Sequence, residues 1–403
     1  MSERIEGVPR YLNEAYVESI LRAIENSEKV KLEKYELRPA TKNGDHYASV
    51  MVRIVADYVI DVNDHKQISI ILKTSYDQVF ENNGTVEMTK KYDVQNREML
   101  MYGKILNDFH NLLSSINDNI IFSARCYYED KATKSLFFED LVVRDYICAN
   151  RVQRLDVAHA KLALRKLAKY HASSIILKEK EPGIYEECNK AFLGRDYPDG
   201  TEFCLKNFDA LLLVVSKSKK FRDVFIEKGI KLYEPDEYFN VLLHGDFWSN
   251  NMMFKYDNDG NPIDVLFVDY QLPYWSSPAI DVLYFIHTSL KEELRLKTHD
   301  ELVQFYYKHL KETLIDGFKY KGKFPSLHEF HIMILKKSLQ IFFAAFIVQP
   351  VVLMDESIRS DMFLLMERNH AGMKFSETMY SNPHVIMAIK NLLPVLDARG
   401  IFD

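Results

Sequence analysis

The hydrophobic pattern of the chain changes sharply near residue 140, and this change constrains the fold more than any other feature. Before it, apolar and polar residues alternate, as in residues 50–54, which is the period of a half-buried β-strand. After it, stretches with helical spacing dominate, beginning with residues 155–177. The sequence therefore predicts an α+β chain, with a small β-rich lobe over residues 1–141 and a larger helical lobe over residues 142–403.

The composition is that of an ordinary globular protein. Charged residues make up 27% and hydrophobic residues 47% of the 403 positions, which is enough apolar material for a sizeable core. Lys and Arg number 52 against 58 Asp and Glu, a formal net charge of −6. Nucleic-acid-binding proteins usually carry a basic surplus, so we expect no nucleic-acid partner.

The cysteines and the apolar stretches indicate a cytoplasmic protein without a membrane span. The longest apolar stretch, residues 339–354, contains Gln349 and Pro350 and is shorter than the ~20 residues that span a bilayer. The first residues lack the apolar core of a secretory signal. We expect reduced thiols and no zinc site, and no protein partner is evident. The four cysteines are far apart and form no C-x-x-C pair: Cys126, Cys148, Cys188 and Cys204.

A short β-like region interrupts the helical half and carries the most informative polar residues. Three strand-like runs lie within residues 241–268, and the turn 257–262 joins the last two as a hairpin. Asp246 and Asn251 follow the first run with the spacing D-x-x-x-x-N, and Asp269 follows the third. Each of them alone fits a turn residue or a strand end. Their joint occurrence on one frame favours a functional site.

Phosphoryl transfer requires the side chains that this region supplies. One carboxylate accepts the proton of the attacking hydroxyl, and hard oxygen ligands hold the magnesium ions that neutralise the phosphates. We therefore take Asp246 as the candidate base and Asn251 and Asp269 as candidate magnesium ligands. His244 fits a core histidine bonded to backbone carbonyls equally well.

The segment His244-Gly245-Asp246-Phe247-Trp248-Ser249-Asn250-Asn251, followed by a strand ending in Asp269-Tyr270-Gln271, resembles the insect ecdysteroid kinase-like family. That family belongs with choline kinases and aminoglycoside phosphotransferases in the bilobal protein-kinase-like fold. The resemblance therefore implies a small-molecule kinase that uses ATP and magnesium. Further matching segments are residues 44–49, 72–74, 97–102, 138–141 and 170–172.

The resemblance also assigns the nucleotide-binding residues. Lys73 would contact the α- and β-phosphates, and Glu98 would hold its ammonium group in place. The loop that contains Gly44 and Ser49 would approach the phosphates, although it also fits an ordinary hairpin turn. Taken alone, Lys73 fits a lysine that protects a strand edge, and Glu98 a solvated helix charge.

The hinge of this fold would lie at residues 139–141. Backbone groups there, with Glu139 and Leu141 as its ends, would bind adenine. The alternative is a plain linker with an exposed acidic pair.

Two departures from protein kinases favour a small acceptor molecule. Trp248 stands where Ser/Thr protein kinases have a lysine, and the metal-binding segment is D-Y-Q, with no long activation segment or A-P-E after it. Trp248 and Trp275 would supply aromatic walls for an apolar alcohol, and Gln271 would orient its hydroxyl. Core packing of Trp248 and a backbone contact of Gln271 are the alternatives.

The sequence thus predicts an ATP- and magnesium-dependent phosphotransferase that acts on a small-molecule alcohol. The resemblance implies an ecdysteroid-like sterol or another hydrophobic alcohol as acceptor. A choline, ethanolamine or aminoglycoside-type kinase is the alternative within the enzymes. A catalytically silent nucleotide- or sterol-binding protein is the alternative outside them, and the presence of all the catalytic groups argues against it.

Overall fold

The structure, a computed structural model, divides into two compact units. The first contains Met1–Leu106 and Ser123–Ile147, and the second contains Asn107–Phe122 and Cys148–Asp403. The structure describes residues 8–40, 49–61, 64–79, 84–188, 231–354 and 369–402, with isolated positions between 207 and 229 and at 364. Gly44 lies outside the described residues, as do most of residues 203–229 and of residues 355–368, where the sequence has helical spacing.

An antiparallel sheet of five strands forms the centre of the first unit. Helix α1 comes before it, helices α2 and α3 are inserted after its third strand, and a 3₁₀ turn, Leu141–Arg144, follows its last strand. The strand order is β1-β2-β3-β5-β4. The bounds are α1 Glu14–Glu25, β1 Lys31–Pro39, β2 Ser49–Val59, β3 His65–Ser75, α2 Gly84–Lys91, α3 Val94–Leu100, β4 Cys126–Asp130, β5 Ser135–Glu139 and β6 Tyr146–Cys148.

The two faces of this sheet differ because successive side chains of a strand point to opposite sides. One face is apolar and packs against α1, with Val52 and Ile54 of β2 and Leu72 of β3 in the shared core. The other face carries the odd-numbered side chains of β2 and β3. The strand register pairs Met51 with Lys73, so Lys73 belongs to this second face.

The second unit is mainly helical. Its longest helix, α5, buries alanine and leucine side chains along most of its length. The helical stretch that begins at residue 279 is interrupted at Leu290, which is extended and bridges Leu155. The bounds are α4 Leu106–Ser114, α5 Val157–Lys180, α6 Ala279–Ser289, α7 Glu292–Arg295, α8 His299–Lys311, α9 Leu327–Lys336, α10 Leu339–Phe342, α11 Gln349–Val352, α12 His370–Tyr380 and α13 Pro383–Ala398. Helix α4 begins at Leu106, the last residue of a segment of the first unit.

Short strands interrupt the helices of the second unit where the sequence predicts them. Strand β7, Val241–Leu243, pairs with β10, Tyr274–Ser276. Strands β8, Met252–Tyr256, and β9, Pro262–Phe267, form an antiparallel hairpin. The carboxylate of Asp257 accepts two backbone N–H groups of the hairpin turn, which explains why this turn-forming sequence closes the hairpin.

Residues 107–122, which the sequence places in the first domain, pack with the second unit. The buried ammonium of Lys166 in α5 donates to the carbonyl of Ile121 and to the carboxylate of Asp264, each at 2.8 Å. The N–H of Phe267 donates to the carbonyl of Phe122 at 2.7 Å. Burial lowers the pKa of Lys166, and the charge of Asp264 partly offsets this effect.

The observed architecture confirms the α+β class, with a β-rich first unit and a helical second unit. Within the described residues, no single helix has the length and apolar composition of a membrane span. Helix α9 and the apolar stretch Leu339–Val352 have that length and composition only when they are taken together, and the chain bends by 54° between them.

Candidate active site

A glycine in a left-handed conformation shapes the loop that follows β7. Gly245 has φ +82°, and a Cβ atom built on it would lie 1.8 Å from the carbonyl oxygen of Leu272. No side chain fits there without a shift of the backbone, so this position requires glycine. The sharp turn places Asp246 immediately after it.

A buried carboxylate holds the same loop from the other side. Asp281 in α6 is 1% exposed and accepts the N–H of His244 at 2.7 Å and the N–H of Gly245 at 3.1 Å. The Nε2 atom of His171 in α5 lies 3.2 Å from the same carboxylate. Asp281 therefore fixes the backbone just before Asp246, a role that the sequence analysis missed. The available signal was a single acid in the otherwise apolar run 279–286.

Burial disfavours protonation of the two histidines around Asp281, His171 and His244. Burial lowers the pKa of His171 and of His244, and the charge of Asp281 offsets only part of this effect. Nε2 of His244 lies 3.2 Å from the carbonyl oxygen of Val268, so the imidazole bonds backbone as the alternative interpretation expects.

Two side chains hold the carboxylate of Asp246. The hydroxyl of Tyr284 donates to Oδ1 at 2.8 Å, and the Nδ2 amide of Asn251 donates to Oδ2 at 2.8 Å and to the main-chain carbonyl at 2.9 Å. Burial raises the pKa of Asp246 to about 6, and the charge of Asp269 adds to the rise, while Tyr284, Asn251 and Trp248 lower it. A carboxylate with a pKa near the working pH is suited to accept a proton.

Asn251 and Asp269 are brought together by the hairpin. Met252 pairs with Phe267, and the N–H of Val268 donates to the carbonyl of Asn251 at 3.0 Å. Asp269 then adopts a left-handed conformation, with φ +68°, which turns the chain away from the strand direction. Asp246 and Asn251 are therefore in direct contact, and Asp269 follows directly after Val268, whose N–H is bonded to Asn251.

The side-chain oxygen atoms of Asn251 and Asp269 are of the hard type that magnesium prefers. The Nδ2 group of Asn251 is used by Asp246, which directs the amide oxygen of Asn251 away from that carboxylate. This oxygen and the Asp269 carboxylate are hard ligands, and magnesium usually takes one or two such groups together with phosphate oxygens and waters. The described residues contain no cluster of three His, Cys, Asp or Glu side chains that could hold a metal alone.

Trp248 and Trp275, both predicted to contact substrate, lie in different surroundings. Trp248 is 6% exposed and lies close enough to Asp246 to affect its pKa. Trp275 stacks on Tyr185, with ring centroids 5.3 Å apart, and the ammonium of Lys178 lies 4.8 Å from its ring centroid. Trp275 lines a cavity of about 230 Å³, and Asp246 is not among the described residues of its wall. The substrate role of Trp275 stays a prediction.

Gln271 is also buried, at 8% exposure. It follows Asp269 by two residues, in the segment that leads to β10. Its role in orienting a hydroxyl stays a prediction.

The first unit contains the other group of candidate residues. The ammonium of Lys73 in β3 lies 2.7 Å from Oε1 of Glu98 in α3, and the two side chains are 5% and 1% exposed. Ser49 begins β2, pairs with Ser75 and lies on the same face of the sheet as Lys73. The lysine is buried and ion-paired, so it is not a strand-edge lysine.

At residues 139–141, the predicted hinge, side chains and backbone have different partners. The carboxylate of Glu139 accepts the N–H of Arg125 at 2.8 Å and the guanidinium of Arg144 at 2.9 Å. It is therefore an internal anchor and not an exposed charge. The N–H of Leu141, the first residue of the 3₁₀ turn, has no hydrogen-bond partner in the part of the chain that the structure describes.

Comparison with known families assigns the chain. The model of the ecdysteroid kinase-like family matches residues 43–317, which is more than half of the sequence. The chain belongs to the ecdysteroid kinase-like family. The resemblance seen in the sequence is confirmed, and this ecdysteroid kinase-like protein is a small-molecule kinase.

Solved structures similar to this ecdysteroid kinase-like protein include three phosphotransferases. An ethanolamine kinase from Plasmodium vivax is 12% identical, with a TM-score of 0.47, over 98% of this chain and 93% of its own. A choline kinase from Cryptosporidium parvum is 13% identical, with a TM-score of 0.43, over 93% and 96%. A GDP complex of an aminoglycoside 2'-phosphotransferase is 12% identical, with a TM-score of 0.41, over 96% and 98%. No curated protein matches the chain.

Proposed function

We propose that this ecdysteroid kinase-like protein transfers the terminal phosphoryl group of ATP, with magnesium, to a hydroxyl of a small hydrophobic alcohol. The observation that carries the proposal is the placement of Asp246. Its carboxylate is held by Tyr284 and Asn251 and is close enough to Asp269 for that charge to raise its pKa.

In the proposed reaction, the acceptor hydroxyl oxygen attacks the γ-phosphorus while the bond to the bridging oxygen of ADP breaks. Asp246 accepts the proton that the hydroxyl loses and later releases it to solvent. Tyr284 and Asn251 keep the carboxylate in one orientation, so that it does not have to reorient when the proton is transferred. Magnesium, held by Asn251 and Asp269, would supply positive charge against the phosphate oxygens.

The first unit would bind the nucleotide. The Lys73 ammonium, oriented by Glu98, supplies a fixed positive charge for phosphate oxygens. Ser49 lies on the same sheet face, and backbone groups at residues 139–141 would bind the adenine. The loop with Gly44, which lies outside the described residues, would approach the phosphates.

The acceptor is proposed from the family and from the aromatic residues near Asp246. Tyr284 and Trp248 are each 6% exposed, and Tyr284 stacks on Phe343, with ring centroids 6.3 Å apart. Aromatic walls with few charges suit an apolar alcohol such as an ecdysteroid-like sterol. A panel of ecdysteroids, other sterols, choline, ethanolamine and aminoglycosides, with ADP release and the mass of a new phosphate ester as readouts, tests this. Preferential turnover of a cationic amine would contradict the sterol proposal.

The base assignment is tested by Asp246→Asn. This variant should lose phosphoryl transfer, because its amide cannot accept the proton, while it still binds MgADP. Asp259→Asn makes the same change on the exposed turn of the hairpin and serves as the control. Full turnover by the Asp246 variant with the best acceptor of the panel would refute the assignment.

The metal assignment is tested by Asp269→Asn. Loss of this carboxylate should weaken ADP binding in the presence of magnesium and leave the much weaker metal-free binding little changed. Calorimetric titration with ADP, with magnesium and with EDTA, measures both. An unchanged magnesium dependence would argue against Asp269 as a ligand.

A further inference from the structure

A second ion pair of the first unit, with one buried and one partly exposed partner, lies at the predicted hinge. The carboxylate of Asp140 has a side-chain exposure of 4% and is held by Arg53 of β2. The Arg53 guanidinium donates from Nε to Oδ2 at 2.6 Å and from Nη2 to Oδ1 at 3.2 Å. The hydroxyl of Ser69 in β3 donates to Oδ2 at 2.7 Å, and the N–H of Val142 donates to Oδ1 at 3.2 Å. Two neighbouring strands of the sheet therefore hold one hinge residue.

These contacts keep Asp140 ionised and fixed. Burial by itself raises the pKa of this carboxyl, but the hydrogen bonds from Arg53 and Ser69 outweigh it and leave the pKa below its usual value. The bidentate geometry of a guanidinium on a carboxylate fixes the orientation of the carboxylate as well as its position. Asp140 also caps the 3₁₀ turn that begins at Leu141. Arg53 and Ser69 thus determine where the backbone of the hinge turn begins.

The position of Arg53 and Ser69 on the sheet relates them to Lys73. All three side chains belong to the face opposite α1, because they are odd-numbered residues of β2 and β3 in the observed register. Ser69 and Lys73 are four residues apart on one strand, which is about 13 Å at the rise of a β-strand. The apolar side chain of Ile71 lies between them. This face therefore has a fixed cation at one end, an apolar middle, and the held hinge at the other end.

We infer that Arg53 and Ser69 are positioning residues for the nucleotide base. Through Asp140 they fix the hinge backbone, including the Leu141 N–H that has no described partner, so that it can bind the edge of a purine. The inference rests on the proposed function, in which residues 139–141 contact adenine. It adds that base preference, and not only the stability of the sheet, depends on Arg53.

The experiment measures the dissociation constants of MgADP and MgUDP by calorimetry for the full-length protein. We expect the wild-type protein to prefer MgADP. Arg53→Met should weaken MgADP binding by about tenfold, the equivalent of roughly one hydrogen-bonded charge, and change MgUDP binding less than about twofold. Ser69→Ala should shift the preference in the same direction by a smaller factor.

Arg38→Met is the matched control. Arg38 lies directly opposite Arg53 in the β1–β2 register and makes a bidentate ion pair with Glu36. That pair is exposed, and neither of its two hydrogen bonds involves residues 139–141. The control should leave both dissociation constants unchanged. Arg53→Lys keeps the charge but not the bidentate geometry, and it replaces Arg53→Met in the experiment if the methionine variant does not fold.

Three results would overturn the inference. The first is an Arg53 variant that is less stable but keeps the wild-type preference for MgADP, since Arg53 would then serve the sheet alone. The second is an equal loss of MgADP and MgUDP. The third is a wild-type protein that binds both nucleotides equally. Absence of any nucleotide binding by the wild-type protein would instead refute the proposed function itself, and the inference with it.

Discussion

Lys73 and Glu98 form an ion pair whose members are almost completely removed from solvent. A buried pair adds little net stability, because the attraction between the charges is offset by the cost of desolvating both of them. Removal of one partner is different, since it leaves the other charge buried and uncompensated. The pair is therefore better explained by the need to hold an ammonium group in one place than by stability.

This reasoning predicts different outcomes for single and double variants. Lys73→Met should lower the free energy of unfolding by about 3–5 kcal/mol, whereas Lys73→Met combined with Glu98→Gln should recover part of that loss. Neither should bind MgADP tightly. Urea unfolding and nucleotide titration measure the two effects separately.

Lys66→Met, on the same strand, is the control. Its pair with Glu25 is partly exposed and should contribute less than about 1 kcal/mol. A double variant no more stable than Lys73→Met would show that the buried charge of Glu98 is not the cause of the loss.

The loop between β7 and the hairpin is the element that decides the position of Asp246. Its turn depends on Gly245, and the turn within the hairpin depends in the same way on Gly260, since both have φ near +82°. The surroundings of the two glycines differ completely. A Cβ atom at Gly245 would meet the carbonyl of Leu272, whereas at Gly260 nothing lies within 4 Å.

We therefore predict unequal effects of the same substitution. Gly260→Ala should cost about 1–2 kcal/mol, which is the cost of a left-handed conformation alone. Gly245→Ala should cost more and should also reduce the phosphotransferase rate, because the backbone before Asp246 has to move. Thermal unfolding and single-turnover rates compare the two variants. Equal losses of stability with equal rates would contradict the close approach of Leu272.

The elements that the sequence predicts best are those with local causes. The alternation of residues 50–54 and the turn 257–262 each depend on neighbours in the chain, and both β2 and the β8–β9 hairpin are present. The same holds for the approach of Asn251 to Val268, the residue before Asp269, because the hairpin brings them together.

Contacts between distant residues could not be predicted in the same way. Asp281 lies 36 residues after Gly245, and Asp140 lies 87 residues after Arg53. Periodicity and turn propensity contain no information about such pairs. The alternation noted for β2 does place Arg53 on the face away from the core, but nothing local indicates its partner.

At the scale of the whole molecule, buried histidines link stability to pH. Burial lowers the pKa of His287 well below its usual value, and nearby His299, Arg295 and Arg399 lower it further. Burial likewise lowers the pKa of His299 to about 4; Asp300 opposes this, and Arg399 and His331 add to it. The unfolded chain binds protons at these positions below about pH 6.5, whereas the folded chain binds them only at lower pH.

We therefore expect the free energy of unfolding to fall as the pH is lowered from about 6.5 towards 4. His299→Gln should reduce the slope by up to about 1.4 kcal/mol per pH unit, the value for one proton. Urea unfolding at several pH values measures the slope. His384→Gln, at an exposed position of α13, is the control and should not change it. An unchanged slope for the His299 variant would show that this imidazole is protonated in the folded protein.

The anchoring of the catalytic loop by Asp281 has a consequence for how such enzymes diverge. The groups that set this loop, Asp281 and His171, lie on α6 and α5 with exposures of 1% and 0%, out of reach of an acceptor molecule. Mutations that reshape the walls around a new compound therefore leave Asp246, the proposed base, where it is. The acceptor preference of this protein can therefore change by substitution of single wall residues while the position of Asp246 is kept.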